Sequence, residues 1–167
     1  MPRLTDMPAL LRAVSGFHAE PLDVPMEEEA LELAARSLEE SGLLLVGEIH
    51  GVRENPLVAL TLMRALGVTR LALEWPPEIA ADGPTIVVAG NLHTPTEPHQ
   101  EGIPMGAHLA RARPGLRSIA IEYGKGSFYN CAPRHIDSTA GEGLSVREGR
   151  LVFGLPRFTE AEVPHRV

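Results

Sequence analysis

The chain has 167 residues, of which 44% are hydrophobic, and its 22 acidic and 15 basic side chains give a formal net charge of −7. This length predicts a single domain over residues 1–167, with a substantial core. The acidic balance argues against a nucleic-acid-binding protein, which needs a basic face to neutralise phosphates.

The composition also bears on where the protein resides. Its single cysteine excludes an internal disulfide and fits a reducing compartment. The amino-terminal residues carry neither a sustained apolar core nor a small-residue cleavage pattern, as a secretory signal would. No segment approaches the ~20 consecutive apolar residues that span a bilayer. We therefore expect a cytoplasmic protein with neither a membrane nor a nucleic-acid partner.

Apolar periodicity predicts alternating helices and strands. The first is an amphipathic helix over residues 26–42, with glutamates near its amino terminus and an apolar stripe formed by Leu31, Ala34, Ala35 and Leu38. Further along lie a strand at 43–47, a helix at 56–66, strands at 70–75 and 85–89, a helix at 105–112, a strand at 118–123 and a β-hairpin at about 144–155. This alternation is typical of an α/β fold with a mostly parallel sheet, flanking helices and a C-terminal hairpin.

Polar side chains stand where the predicted strands end. They are Glu48 and His50 after the first strand, Glu74 at the end of the second, Asn91 and His93 after the third, and Glu122 near the end of the fourth. Ligands of open α/β sheets bind outside the carboxyl ends of the strands, so we expect these residues to converge. Two histidines with two or three carboxylates can bind a divalent metal or form a general acid/base set, and the pattern leaves both open.

The loop after the first strand, "GEIHGVRENP", holds several of these candidates. Asn55 is expected to cap the following helix, with Pro56 at its first position. Arg53 is expected to hold an anionic substrate group or a developing oxyanion. Glu54, together with Asn91 after the third strand, is a further candidate for substrate binding.

Three short motifs resemble the superfamily of erythromycin esterase-like, ChaN-like haem-uptake and Tiki/TraB proteins. They are "GEIH" at 47–50, "LALEWP" with Glu74, and "VVAGNLH" ending in His93. "IPMGAHL" at 103–109 resembles the segment after the second histidine in some members. The resemblance covers about residues 43–123 and implies an α/β fold with its site at the carboxyl ends of the strands. By motif position it implies Glu48, His50, Glu74 and His93 as the functional residues.

The chain departs from this superfamily between Glu74 and His93. Many members carry a long helical insertion there that covers the pocket, whereas this chain has only "PPEIAADGP", which is short for a parallel crossover. A pocket with so little cover would expose apolar walls such as Trp75 and Ile79. We therefore expect a homodimer in which the second subunit covers part of the cleft. The rival is a monomer closed by its own hairpin at 144–153.

The residues and the resemblance together favour a hydrolase for an ester, amide or similar small-molecule substrate. In this hypothesis His50 is the general base or a metal ligand, Glu48 or Glu74 orients it or shares the metal, and His93 completes the site. Zinc or manganese is expected as a cofactor ahead of haem. One alternative is a protein that binds a metal or haem without turnover, which the missing cover supports. Another is a degenerate superfamily member that serves as an interaction module.

Overall fold

The computed structural model describes residues 19–73, 83–98, 102–129 and 132–161. Within these ranges the chain forms a mostly parallel sheet with flanking helices and a C-terminal antiparallel hairpin, which confirms the predicted α/β class. The helices are α1 (Glu28–Ser41), α2 (Asn55–Ala65) and α3 (Met105–Ala112). The strands are β1 (Leu43–Glu48), β2 (Arg70–Leu73), β3 (Thr85–Gly90), β4 (Arg117–Tyr129), β5 (Pro133–Asp137), β6 (Gly143–Arg147) and β7 (Arg150–Arg157).

The strands lie in the order β2-β3-β1-β4-β7-β6, and β5 pairs with β4 outside this row. The five strands β2, β3, β1, β4 and β7 are parallel to one another, whereas β5 pairs antiparallel with β4 and β6 pairs antiparallel with β7. β1 is central, with Leu45 opposite Val87 of β3 and Ser118 of β4. A strand flanked on both edges and covered on both faces needs an apolar run, which explains the uninterrupted "LLLV".

Alternate side chains of β1 point to opposite faces of the sheet. Leu44 and Val46 belong to the larger core cluster, together with residues of α1 and α2. Leu43 and Leu45 belong to a smaller cluster, against which Leu109 of α3 packs. Helices therefore cover both faces near the strand that leads to the candidate site.

β4 differs from its predicted extent, because it continues six residues past Tyr123 to Tyr129. Gly124 and Gly126, which lie in this extension, allow a close approach of the chain. A Cβ atom on Gly124 would collide with the carbonyl oxygen of Pro156, and one on Gly126 with Phe158. The prediction that β4 ends near Tyr123 is therefore wrong.

The predicted C-terminal hairpin is confirmed, and it belongs to the sheet. β6 and β7 pair antiparallel around Glu148 and Gly149, which have φ of 51° and 76°. Positive φ at both central residues is what a two-residue turn of this kind needs. Because β7 pairs on its other edge with β4, the hairpin extends the sheet at the side away from β3.

The short connection after β2 joins two neighbouring strands. β2 and β3 are parallel and adjacent, with Leu71 opposite Ile86. The expected positions of Glu74, Trp75 and Ile79 lie outside the described residues. In the parts of the chain that the structure describes, no helix combines the length and apolar character needed to cross a membrane.

Candidate active site

The carboxyl ends of β1 and β3 lie side by side and bring the first candidate residues together. Glu48, the last residue of β1, pairs in register with Gly90, the last residue of β3. The loop after β3 folds back on this edge, since the Asn91 N–H donates to Glu48 O over 2.8 Å. The predicted meeting of strand ends is thus present for the first and third strands.

Glu48 and His50 form a contact pair at this edge. Glu48 is 8% exposed, and its Oε1 contacts His50 Nδ1. The His50 side chain is 54% exposed, so the buried carboxylate holds an imidazole that reaches the solvent. A carboxylate accepts hydrogen bonds, and this contact therefore assigns the proton of the neutral ring to Nδ1 and its lone pair to Nε2.

Asn55 holds the other oxygen of the Glu48 carboxylate. Its Nδ2 donates to Glu48 Oε2 and to the backbone oxygen of Ile49, the latter over 2.8 Å. Its Oδ1 accepts a hydrogen bond from the Tyr123 hydroxyl, also over 2.8 Å. Asn55 was expected to cap α2, but it is the first residue of that helix, and the capping position falls on Glu54 without a side-chain cap. The side-chain amide of Asn55 therefore binds the buried Glu48 carboxylate and does not cap the helix.

Tyr123 closes this network from β4. Its hydroxyl accepts a hydrogen bond from the Ile49 N–H over 2.9 Å and donates to Asn55. Burial raises the pKa of Tyr123 well above its ordinary value, and the nearby Glu48 charge adds to this. The phenol therefore stays protonated and remains a donor at neutral pH. Its position fixes the orientation of Asn55, and through it that of Glu48.

His93 lies close to Gly90, as His50 does. Its N–H donates to Gly90 O, and its carbonyl accepts from the N–H of Gly106 in α3, both over 2.8 Å. A Cβ atom on Gly90 would lie 3.4 Å from both His50 Nε2 and His93 Cδ2. The absence of a side chain at Gly90 thus leaves a space that both imidazoles border. The two histidines predicted to share a site thus lie close together.

Two further candidates lie in the loop after β1. Arg53 is exposed, and its backbone N–H donates to Thr159 O over 2.9 Å. The Glu54 carboxylate accepts two hydrogen bonds from Thr159, one from its N–H and one from its hydroxyl. Glu54 was predicted to bind substrate, but both of its carboxylate oxygens already accept hydrogen bonds from Thr159.

Glu122, the acidic candidate on the fourth strand, does not add to this cluster. Glu122 lies within β4, forms an ion pair with Arg147 over 3.2 Å, and alternates with Ile121 and Tyr123, which point into the core. It therefore faces the side of the sheet opposite to Tyr123. Glu74 lies outside the described residues. Among the residues that the structure does describe, no three His, Cys, Asp or Glu side chains are grouped to hold a metal ion.

The sequence interpretation missed Asn55 and Tyr123 as parts of the site. Asn55 matched a helix-start pattern, and Tyr123 stood as the last residue of the predicted strand at 118–123. One feature of the sequence could have indicated Asn55: Glu48 directly follows a buried strand, and Asn55 is a polar residue at the start of the next apolar helix. Such a carboxylate must find donors, and the nearest amide in the chain is that of Asn55.

Comparison of the chain with family models, curated proteins and solved structures finds no match. The superfamily resemblance therefore remains a prediction, and the geometry of the site carries the functional argument.

Proposed function

We propose that the protein hydrolyses a small ester or amide, with His50 as the general base. The observation that carries this proposal is the contact between His50 Nδ1 and a buried Glu48, whose second oxygen is held by Asn55. A carboxylate in this position fixes the ring tautomer and stabilises the imidazolium formed when Nε2 takes a proton. The half-exposed ring can meet a water molecule and a substrate from outside.

The reaction follows from these positions. His50 Nε2 takes a proton from water while the water oxygen forms a bond to the substrate carbonyl carbon. The bond from that carbon to the leaving oxygen or nitrogen then breaks, and the leaving atom receives the proton. His93, across the Gly90 space, donates a hydrogen bond to the carbonyl oxygen or the leaving group as charge develops there. The exposed guanidinium of Arg53 attracts an anionic part of the substrate.

His50 and His93 are also the predicted ligands of a divalent metal. Imidazole nitrogens suit zinc, and manganese accepts a mixed set with carboxylates, so His50 and His93 would hold the ion with Glu74 as the third predicted ligand. Glu48 fits the role of the carboxylate that orients a ligating histidine, because both of its oxygens are already engaged by His50 and Asn55. Zinc or manganese would polarise the carbonyl group of the substrate.

Hydrolysis of p-nitrophenyl acetate, p-nitrophenyl butyrate and an aminoacyl p-nitroanilide tests this proposal. Each is assayed with and without added zinc or manganese. We expect His50→Gln to lower the rate at least ~100-fold, the range of a lost general base, and Glu48→Gln and His93→Gln to lower it as well. His108→Gln, an exposed histidine on α3, is the matched control and should keep wild-type activity. Equal activity of His50→Gln and His108→Gln would exclude His50 as the base.

A protein that binds a metal or haem without turnover is the second candidate. The 54% exposure of the His50 side chain favours it, because catalysis usually benefits from excluding water. Titration calorimetry with zinc and manganese, and an absorbance spectrum with added hemin, separate the two candidates. Binding that His50→Gln abolishes, combined with no turnover of the three substrates, would support the second.

A further inference from the structure

The segment that follows β7 runs back to the loop that carries His50. We call residues 158–161 the C-terminal strap and residues 49–54 the His50 loop. Their backbones pair antiparallel: Val52 bridges Glu160, the Arg53 N–H donates to Thr159 O over 2.9 Å, and the Ala161 N–H donates to Gly51 O over 2.8 Å. The strap therefore acts as a short strand along one side of this loop.

A side-chain clamp reinforces the backbone pairing. Glu54 Oε2 accepts the Thr159 N–H over 2.9 Å, and Glu54 Oε1 accepts the Thr159 hydroxyl over 2.7 Å. One residue of the strap thus occupies both oxygens of one carboxylate in the loop. Hydrogen bonds to an ionised acceptor are stronger than neutral ones, and two of them fix direction as well as distance.

The strap also reaches the network behind Glu48. Phe158, which is 4% exposed, packs edge-on against Tyr123 with ring centroids 5.2 Å apart. Its N–H donates to Lys125 O over 3.1 Å. The start of the strap therefore supports the tyrosine whose hydroxyl orients Asn55, while its middle holds the His50 loop.

The two ends of the loop are held by different parts of the fold. At its start, the Tyr123 hydroxyl and the Asn55 amide bind the backbone of Ile49. Gly51 has a φ of 85°, and a Cβ atom there would lie 2.7 Å from the Tyr129 carbonyl oxygen. Val52 contributes a buried apolar side chain, at 4% exposure. The strap therefore holds the part of the loop that follows His50.

We infer that Glu54 and Thr159 are positioning residues for His50, which act by clamping the C-terminal strap onto the His50 loop. This inference rests on the proposed function only in giving the position of His50 a catalytic purpose. It replaces the predicted role of Glu54 in substrate binding with an intramolecular one. It also makes the strap part of the site, although Thr159 lies 105 residues from Glu54 in the chain.

The tautomer of His50 tests the inference without any substrate. Long-range ¹H–¹⁵N spectra of the full chain report which ring nitrogen carries the proton. We expect the Nδ1–H tautomer in the wild type, and a shift toward the Nε2–H form of an exposed histidine such as His108 in Glu54→Ala. Thr159→Val, which loses only the hydroxyl, should shift it partway, and Thr159→Ser should restore the wild-type signal. Thr69→Val, the same change at an exposed site before β2, is the control.

Amide hydrogen exchange gives the second readout. Loss of the Glu54 clamp should speed exchange at Arg53 and Ala161 by roughly tenfold to a hundredfold, the range of a lost charge-assisted hydrogen bond, and leave β1 unchanged. If exchange speeds up at both amides while the His50 tautomer stays as in the wild type, the strap does not position His50 and the inference is overturned. Unchanged exchange in folded Glu54→Ala would overturn it too. Neither result bears on whether the protein is a hydrolase, which the ester assays decide separately.

Discussion

The Tyr123 hydroxyl donates to Asn55 Oδ1 over 2.8 Å, although 68 residues separate the two in the chain. This single bond connects the middle of β4 to the first residue of α2. Through Asn55 it reaches the Glu48 carboxylate, and through Glu48 the His50 ring. The buried Tyr123 side chain on β4 therefore helps to orient the exposed His50 ring.

Replacing Asn55 by leucine should destabilise the fold markedly. The substitution leaves the Glu48 carboxylate and the Tyr123 hydroxyl without their buried amide partner, at a cost of ~2–4 kcal/mol in the free energy of unfolding. Urea denaturation followed by circular dichroism measures this change. Asn91→Leu, an exposed position after β3, should stay within ~0.5 kcal/mol of the wild type. Equal stabilities for the two variants would contradict the network described above.

Tyr123 should stay protonated through the pH range in which tyrosine ordinarily ionises. It is 6% exposed, and burial raises its pKa. In a Tyr129→Phe variant, Tyr123 is the one tyrosine left in the chain. Absorbance near 295 nm should then show no tyrosine ionisation near pH 10 until the protein unfolds. An ionisation step near pH 10 in the folded variant would show that Tyr123 is not shielded.

The raised pKa of Tyr123 also predicts how stability depends on pH. Above about pH 10 the unfolded chain loses the phenol proton while the folded state keeps it. The folded state then binds more protons, so the free energy of unfolding falls as pH rises, by up to ~1.4 kcal/mol per pH unit for this group. The contribution is fully present below pH 10. Denaturation series from pH 8 to 11 should show this decline in Tyr129→Phe and a smaller one in Tyr123→Phe.

His50→Ala and His93→Ala should leave the fold largely intact while abolishing metal or ligand binding. Both side chains are exposed at the ends of strands and add little packing, so we expect losses of ~1 kcal/mol or less in the free energy of unfolding. Thermal unfolding checks the stability, and zinc titration checks the binding. A grossly unfolded variant would show that the histidine is structural, which weakens its assignment to the site.

Gly90→Ala should separate stability from function. Gly90 sits at the end of β3, and a methyl group there meets His50 Nε2 and His93 Cδ2 at 3.4 Å, which is an ordinary van der Waals distance. The fold should tolerate it, with a stability change within ~1 kcal/mol, yet the methyl group fills the space between the rings. Turnover or metal binding should therefore fall, and Gly90→Val should lower it further. Unaltered turnover or binding in both variants would show that the space is not used.

The homodimer expected from the sequence can be tested at another place in the fold. Leu71 and Leu73 of β2 are 41% and 67% exposed. β2 ends the row of sheet strands, and exposed apolar residues on such a strand favour association with a partner. Light scattering at micromolar concentration should give twice the 18.0 kDa mass of the chain. Leu73→Glu should reduce the mass to that of one chain; a wild-type mass of 18.0 kDa would remove the dimer.

Local patterns predicted the elements well. The apolar run of β1 indicated its burial, and Gly67 stands after α2 with the left-handed φ of 65° that a C′ glycine adopts. The meeting of His50 with His93 followed from the rule that parallel strands end at one edge. These features depend on short stretches of sequence or on the general geometry of the fold class.

The parts that the sequence did not reveal depend on contacts between distant residues. Asn55 had two competing uses, a helix cap and a partner for a buried carboxylate, and only the position of Tyr123 decides between them. Glu122 was placed near the end of a strand, whereas β4 continues past it, and β7 and the strap pack against the glycines that follow. The clamp between Glu54 and Thr159 has no local signature at all.

The place of β7 in the row bears on how the chain reaches its native state during synthesis. β7 lies between β4 and β6 and is made after the other strands that the structure describes, so the edge of β4 is not paired with β7 until residues 150–157 have left the ribosome. Contacts of such high sequence separation slow folding, and an unpaired strand edge promotes aggregation in the meantime. Nascent chains arrested before residue 150 should therefore remain protease-sensitive and should engage chaperones. The His50 loop can therefore form its hydrogen bonds with the strap only after β7 has been made and has paired with β4.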